Sequence, residues 1–382
     1  MQRIAFPSVV VVQTIVPDYR ERFYALLRDR LGSRLLLLAG GEDFAPALMP
    51  SESVEYVRVT NHFVFGRRFL WQSGALRPAL RAEVAVLVLN PRIVTVWAIL
   101  GLRRLRGRRT VLWGHAWPRQ GRSSRSDVVR HLLRRLADTL VVYMDAEVRE
   151  LRERMPKADV VAAPNALYLE SEIAPAMPAR ARDFVCVGRL VPAKKVELLL
   201  EAFAIAVERL PADVRLVYVG DGPLRASLEA RATDLGIRDR VVFLGHLGDI
   251  DDLRSAYAEA IASVSPGYVG LSLIQSIGFG VPMLAAREEP HAPEIAAAVE
   301  GESVRFFPSD SPHALASLLV AMAKERQSWL SRRAEISRFA RETHSVENMV
   351  ESFVSALRLR DEGLLAPRAQ ESARRARQNA VR

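Results

Sequence analysis

The sequence has a single cysteine, Cys186, in 382 residues. It therefore forms no internal disulfide and no cysteine-rich metal site, and a reducing compartment suits it best. Lysine is almost as scarce, with only Lys157, Lys194, Lys195 and Lys324 against fifty arginines. The seven histidines are scattered and no HExxH pattern occurs, so no metal is expected. Glu288 and Glu289 adjoin, but neighbours in sequence rarely converge on one bond, so a hydrolytic carboxylate pair is not indicated. No long apolar run is free of charge: residues 84–102 carry Asn90-Pro91-Arg92 at their middle, where an arginine is costly in lipid. No transmembrane helix is expected. Residues 4–16 have the look of a signal-peptide core, but no small-x-small cleavage site follows and Asp18-Tyr19-Arg20 opens a polar helix. They read as a first buried strand, and a cytoplasmic chain is expected.

What is present is ordinary globular composition, 49% hydrophobic and 26% charged. At roughly 150 residues per domain, the length predicts two domains and an added tail. The net charge of +10 is unevenly placed. Residues 91–135 hold twelve arginines against Asp127, which leaves the remainder of the chain close to neutral. Such a cluster suits an anionic lipid surface, a pyrophosphate or nucleic acid, and it also suits a merely solvated arginine-rich face. No nucleic-acid recognition module accompanies it, so a nucleic-acid partner is not expected. Residues 366–382 carry five arginines and one glutamate, and 363–382 read as a disordered basic tail.

Short β-branched runs alternate with helical periodicity throughout. Strands are predicted over 9–13, 35–39, 54–59, 84–89, 110–114, 139–143 and 160–163, and helices over 19–31, 93–104, 128–137 and 146–154. Asn90-Pro91 reads as the capped start of the second of these helices. Between 173 and 182 the alternation breaks into alanines with Pro175 and Pro178, which is linker chemistry. The rhythm then resumes, with strands over 184–187, 215–219, 241–244, 261–264 and 283–285. Helices are expected over 196–209, 224–235, 253–259, 272–278, 314–326, 329–341 and 346–357. The fold class is therefore α/β, with two doubly wound Rossmann-like domains. Ligands of such sheets bind beyond the carboxyl ends of the strands, so a cleft between the domains is the expected active site.

The chemistry concentrates in the second half. Gly188-Arg189 through Lys194-Lys195 joins a buried strand to a helix and places a guanidinium and two ammoniums at the strand's carboxyl end. Arginine clamps phosphate oxygens bidentately while lysine adds a point charge, so the pair suits a diphosphate. Gly267-Tyr268-Val269-Gly270-Leu271-Ser272 is a glycine-bearing turn into a helix, whose first N–H groups form a ready anion site. Gly220-Asp221-Gly222-Pro223 departs from the dinucleotide fingerprint, and a plain turn explains it equally well. In the first half, His115 follows a predicted strand between Trp113 and Trp117, rings that suit stacking on a sugar.

Taken in order, Gly188-Arg189-Leu190, Lys194, Gly220-Asp221-Gly222-Pro223-Leu224, Val242-Phe243-Leu244-Gly245, Ser265-Pro266, Gly270-Leu271-Ser272, Gly278-Phe279-Gly280-Val281-Pro282 and Ala292-Pro293-Glu294-Ile295 resemble the family-4 retaining glycosyltransferases, the glycosyl transferases group 1. The likeness is strong over 185–308 and thinner before it, through Pro17-Asp18-Tyr19-Arg20, Trp113-Gly114-His115 and Pro164-Asn165-Ala166. It implies a GT-B fold with an acceptor domain over 1–172, a linker over 173–182, a nucleotide-sugar domain over 183–342 and a helix over 343–360 that crosses back to the first domain. It further implies that His115, Arg189 and Lys194 are catalytic. Gly188, Lys195, Gly245, His246, Leu247, Gly267, Tyr268, Gly270, Leu271, Ser272 and Gln275 would bind the donor, and Tyr19, Arg20 and Trp113 the acceptor.

The donor would be a UDP-, GDP- or TDP-sugar and the acceptor a glycan or a lipid-linked glycan of cell-surface polysaccharide synthesis, with no required cofactor. The basic cluster suggests a peripheral seat on an anionic membrane at the inner face. The family's usual pair of glutamates is replaced here by Gly267 and Gln275, which leaves a second reading open, a GT-B nucleotide-sugar-binding protein with little or no transferase activity.

Overall fold

The computed structural model describes residues 7–44, 49–118, 122, 124–177 and 180–359. The expected tail over 363–382 lies outside the described residues, as do Arg119 of the arginine-rich stretch and positions 178 and 179 of the expected linker. The chain divides into two compact units: one runs to Pro164 and resumes at Val346, and the other is Asn165–Ser345.

The first unit contains β1 (Val9–Gln13), β2 (Leu35–Ala39), β3 (Val57–Arg58), β4 (Thr60–Val64), β5 (Phe69–Ser73), β6 (Val84–Val88), β7 (Thr110–Trp113), β8 (Thr139–Val142) and β9 (Asp159–Ala162). Seven of them form one parallel sheet in the order β3-β2-β1-β6-β7-β8-β9, while β4 and β5 form an antiparallel hairpin. A parallel strand covered on both faces must be apolar throughout. Accordingly β1 is four valines and a glutamine, all buried. The helix Val346–Leu357 packs on this unit, setting the Phe353 ring 5.3 Å from Phe23 and 4.8 Å from Trp113.

The second unit contains β10 (Asp183–Val187), β11 (Arg215–Val219), β12 (Val241–Gly245), β13 (Ala260–Ser265), β14 (Met283–Ala286) and β15 (Val304–Phe307), all parallel, in the order β12-β11-β10-β13-β14-β15. The two Rossmann-like sheets are those that the alternation of elements predicts. In each, the chain winds outward in one direction and then returns to the other side of the first strand. The switch points lie between β1 and β6 and between β10 and β13, and open α/β sheets bind ligands at the carboxyl ends of such points.

Several local expectations are corrected. The segment expected as a linker buries Ile173, Ala176 and Ala181 in the core of the second unit, and the division between units falls earlier, at Pro164. Asn90 does not cap a helix: its side chain accepts from Arg92 N at 3.0 Å in a local turn, and the helix begins at Val94. The helix expected over 329–341 is two, Arg326–Ser331 and Arg333–Thr343.

The arginine-rich stretch is not one solvated face. Arg103, Arg134 and Arg333 are among the largest fully buried side chains of the molecule. Arg103 donates to the carbonyls of Ala79, Ala82, Glu83 and Arg109 and to Thr110 Oγ1. Arg333 does the same for Ala176, Ala258 and Ala260. A planar fork with five donors can satisfy several converging carbonyls at once, which an ammonium cannot do in one plane. Removing the donors strips several of those carbonyls of their side-chain partner inside the fold. Arg103→Met is therefore expected to cost about 2–4 kcal/mol of stability, read as a lower denaturant midpoint at unchanged slope.

Candidate functional site

At the switch point of the second sheet, two turns meet. β10 passes through Gly188 and Arg189 into the helical turn Pro192–Lys194, and β13 passes through Pro266 and Gly267 toward the helix Leu271–Gly278. The turns meet largely through backbone: Tyr268 N donates to Ala193 O at 3.2 Å, and Lys194 Nζ donates to Tyr268 O at 2.7 Å. A Cβ added at Gly267 would lie 2.5 Å from Ala193 O and 2.8 Å from Lys194 C, so no side chain fits in this arrangement. The absence of a carboxylate at 267 is thus a packing requirement.

The helix beyond begins at Gly270 with no side-chain cap. Its first N–H groups, at Leu271 and Ser272, are the donors that a helix cannot satisfy internally. Val269 N is used differently: it donates to His291 Nδ1 at 3.1 Å, while His291 Nε2 lies 2.9 Å from Ala286 O. These partners assign the neutral tautomer with its proton on Nε2. Burial lowers the His291 pKa, with Lys194 acting the same way, while the Ala286 hydrogen bond and Glu289 oppose them.

Lys194 is half-buried over this turn, and burial lowers its pKa against the pull of Cys186 and Glu294. The Cys186 thiol itself is buried and pushed up to about 12 by that burial. Arg189 is exposed and, among the described residues, pairs with nothing. Lys195 stands at φ 49°, in the left-handed region that favours glycine. Its Nζ pairs with Glu289 and Asp310 at 2.6 Å each. This corrects the expectation that Lys195 contacts the diphosphate: its charge is already met by two carboxylates.

Gln275 lies one turn into the helix, where Tyr257 Oη donates to its Oε1 at 3.2 Å and its Nε2 donates to Tyr168 Oη at 2.8 Å. One amide proton and one lone pair remain for a ligand. Gly245, His246 and Leu247 close β12 at the sheet edge, with Gly245 O accepting from Gly220 N at 2.7 Å. Gly220 and Gly222 let this turn run against the backbone of Gly188 and Leu190, where an added Cβ would lie 2.0 and 2.5 Å from carbonyl oxygens. The Gly-Asp-Gly motif is therefore a close-approach device.

In the first unit, His115 is exposed beyond β7, its ring 5.0 Å from that of Tyr143. Tyr19 is half-buried. Trp113 is buried, however, with the Arg20 guanidinium 4.4 Å above its ring, and Arg20 is itself buried and donates to Tyr143 Oη at 3.0 Å. Both were expected to meet an acceptor, and both are core instead. Trp117 likewise spends its indole N–H on Glu150 at 2.6 Å.

Sequence reasoning missed His291, whose partners are backbone atoms and leave no pattern to read. It also missed the pairing of Asn165 Nδ2 with Glu294 Oε1 at 2.7 Å, although each residue stood in a recognised motif. Among the described residues, no group of three His, Cys, Asp or Glu is placed to hold a metal ion.

Gly267→Ala is expected to cost roughly 1–3 kcal/mol, since backbone rather than a flexible side chain meets the new methyl; a denaturant titration reads it. Acid acts through partly buried imidazoles. Burial holds His131 and His291 below the ordinary 6.5 and His344 down to about 4. Within that window the unfolded chain binds more protons than the folded one, so stability falls as pH drops from 7 toward 4. His291→Asn is expected to remove part of that slope in a pH series of thermal midpoints.

Residues 181–325 match the family model described as glycosyl transferases group 1. A GDP-mannose-dependent alpha-(1-6)-phosphatidylinositol dimannoside mannosyltransferase of Mycobacterium tuberculosis is 31% identical over 162 residues, 42% of this chain and 41% of that protein. The lipopolysaccharide core biosynthesis glycosyltransferase LpsE of Rhizobium meliloti is 36% identical over 112 residues, 29% of this chain and 32% of that protein. The chain thus spans about two-fifths of the first relative's length and a third of the second's. The crystal structure of HepE from Anabaena in complex with UDP superposes with a TM-score of 0.68 at 14% identity, covering 92% of this chain and 99% of that one. The match to glycosyl transferases group 1 thus lies within the second unit, in a chain whose two Rossmann-like sheets are those of the GT-B fold.

Proposed function

We propose that this chain moves a sugar, with retention, from a nucleotide-sugar to a glycan or lipid-linked acceptor in cell-surface polysaccharide or glycoconjugate synthesis. The observation that carries the reading is the half-buried Lys194 ammonium, held on Tyr268 O beside an uncapped helix start, at the switch point where such sheets bind ligands. Arg189, exposed and unpaired among the described residues, lies at the start of the same turn and supplies the second cation. A diphosphate bound there gains two positive groups and the backbone donors of Leu271 and Ser272.

Departure of the nucleoside diphosphate is the demanding step, and these groups stabilise the negative charge that grows on it. The anomeric carbon–oxygen bond to the diphosphate breaks and the acceptor oxygen bonds to that carbon from the same face. The acceptor's proton passes to the departing diphosphate, so no protein nucleophile is required. His115 contacts the donor sugar in this reading, and Tyr19 the acceptor. Gln275 meets the ribose through its free amide proton, without charge. Gly245, His246 and Leu247 meet the base. Peripheral seating on an anionic membrane belongs to the same reading, since lipid-linked acceptors lie there.

The missing carboxylates at 267 and 275 favour a second reading, in which the chain binds a nucleotide-sugar and transfers it poorly or not at all. Both readings share the diphosphate site, and one experiment tests it. UDP, GDP, TDP and ADP are each added and thermal stabilisation measured, with Arg189→Ala and Lys194→Ala alongside. One nucleotide is expected to stabilise the protein by ~2.7 kcal/mol at a hundredfold excess over Kd, and both variants to lose most of this. No stabilisation by any of the four overturns the proposal. Turnover of the matching nucleotide-sugar with acceptor then separates a transferase from a binding protein.

A further inference from the structure

The helix Asp127–Leu136 of the first unit leaves an apolar stripe in solvent: Val128 is 71% exposed, Leu132 54% and Val129 50%. It is not a hidden core face, because the opposite side already buries Leu133 and Arg134. Residues 128 and 132 are one turn apart and 135 continues their row, so Arg135 borders the stripe directly.

At the same end of the helix lies a cavity of about 490 Å³ lined by His131, Arg134, Arg135, Arg154 and Lys157. Its two acidic members are already engaged: Asp138 accepts from Thr110 N, and Asp159 pairs with Arg109 and Arg358. Arg134 and Arg154 share the single carboxylate of Asp127. Among the described residues, Arg135 and Lys157 have no ion-pair partner. The buried Arg134 Nε and His131 Nδ1 carry no hydrogen bond. Cations at a helix's last turn complement its dipole, but that accounts for neither the unpartnered buried nitrogens nor the cavity beside them.

We propose that this helix is a membrane-docking surface, its valines and Leu132 entering the interface of an anionic bilayer while the basic cavity takes a phospholipid phosphate. Apolar residues flanked by cations are what an interfacial helix needs, and an anionic headgroup supplies the counter-charge that the cavity lacks. Arg130 of the same helix donates through Nη1 to His115 O at 2.9 Å, so the helix lies beside the segment that carries His115. Docking through this helix therefore sets the lipid surface along the flank of the unit that carries His115. The inference rests on the peripheral-membrane reading above and names the surface responsible.

Flotation of the full chain with vesicles tests it, using phosphatidylcholine alone and with about 30% phosphatidylglycerol, in about 0.1 M salt. The wild type is expected to float at least roughly tenfold better with the anionic vesicles. Val128→Gln with Leu132→Gln, and separately Arg135→Glu with Lys157→Glu, are each expected to lower flotation by a similar factor while leaving nucleotide stabilisation unchanged. A wild type that does not float overturns the membrane reading and this inference together. A wild type that floats while the Val128→Gln, Leu132→Gln variant floats equally well overturns this surface alone. Loss in the charge-reversed variant only, with the apolar variant unaffected, likewise overturns docking and marks the cavity as a site for soluble anions.

Discussion

Everything at the candidate donor site depends on how closely two backbone turns approach each other. Because Gly267 lies against Ala193 and Lys194 with no space for a Cβ, Tyr268 can both donate to one turn and receive the Lys194 ammonium from it. That contact fixes where the helix after it begins and hence where its free N–H groups stand. His291 locks the turn from behind through Val269 N. The same economy recurs at Gly220 and Gly222, which bring the neighbouring turn against Gly188 and Leu190. Glycine here is chosen for proximity, and the position of the helix start follows from it.

A second constraint explains the peculiar composition. A few of the arginines are interior fasteners, and Arg103 and Arg333 gather carbonyls from loops and helix ends. Each of these two cations serves several backbone acceptors at once. Lysine cannot take that part, which accords with its near absence, and two of the four lysines stand at the candidate site. The net charge consequently overstates how basic the surface is, and the distinction between buried and exposed arginines carries more meaning than their number.

How much of this was legible in the sequence follows from the physics of each element. The central parallel strands announced themselves because burial on both faces demands unbroken apolar runs such as Val9 to Val12. The hairpin of β4 and β5 did not, since its residues alternate between exposed and covered and mix Thr60, Asn61 and His62 with Phe63. β15, with Arg305 in its middle, was hidden for the same reason. At the site, the two turns that carry Gly188, Arg189, Lys194 and Gly270 were readable as strand-to-helix connections, because close backbone approach restricts residue type. The fates of Trp113, Arg20 and Lys195 were not, because residue type says nothing about which partner arrives first: a phenylalanine pair, a tyrosine hydroxyl or two carboxylates.

The buried thiol of the strand that leads into the Lys194 turn has a practical corollary. Cys186 is sealed in β10 and held protonated far above neutrality, so an alkylating reagent at pH 7 finds almost no thiolate to attack. The chain is accordingly silent toward maleimides as it stands. A cysteine introduced anywhere on its surface becomes the sole labelling position, and fluorophores or spin labels can be placed on either unit without first deleting a native residue.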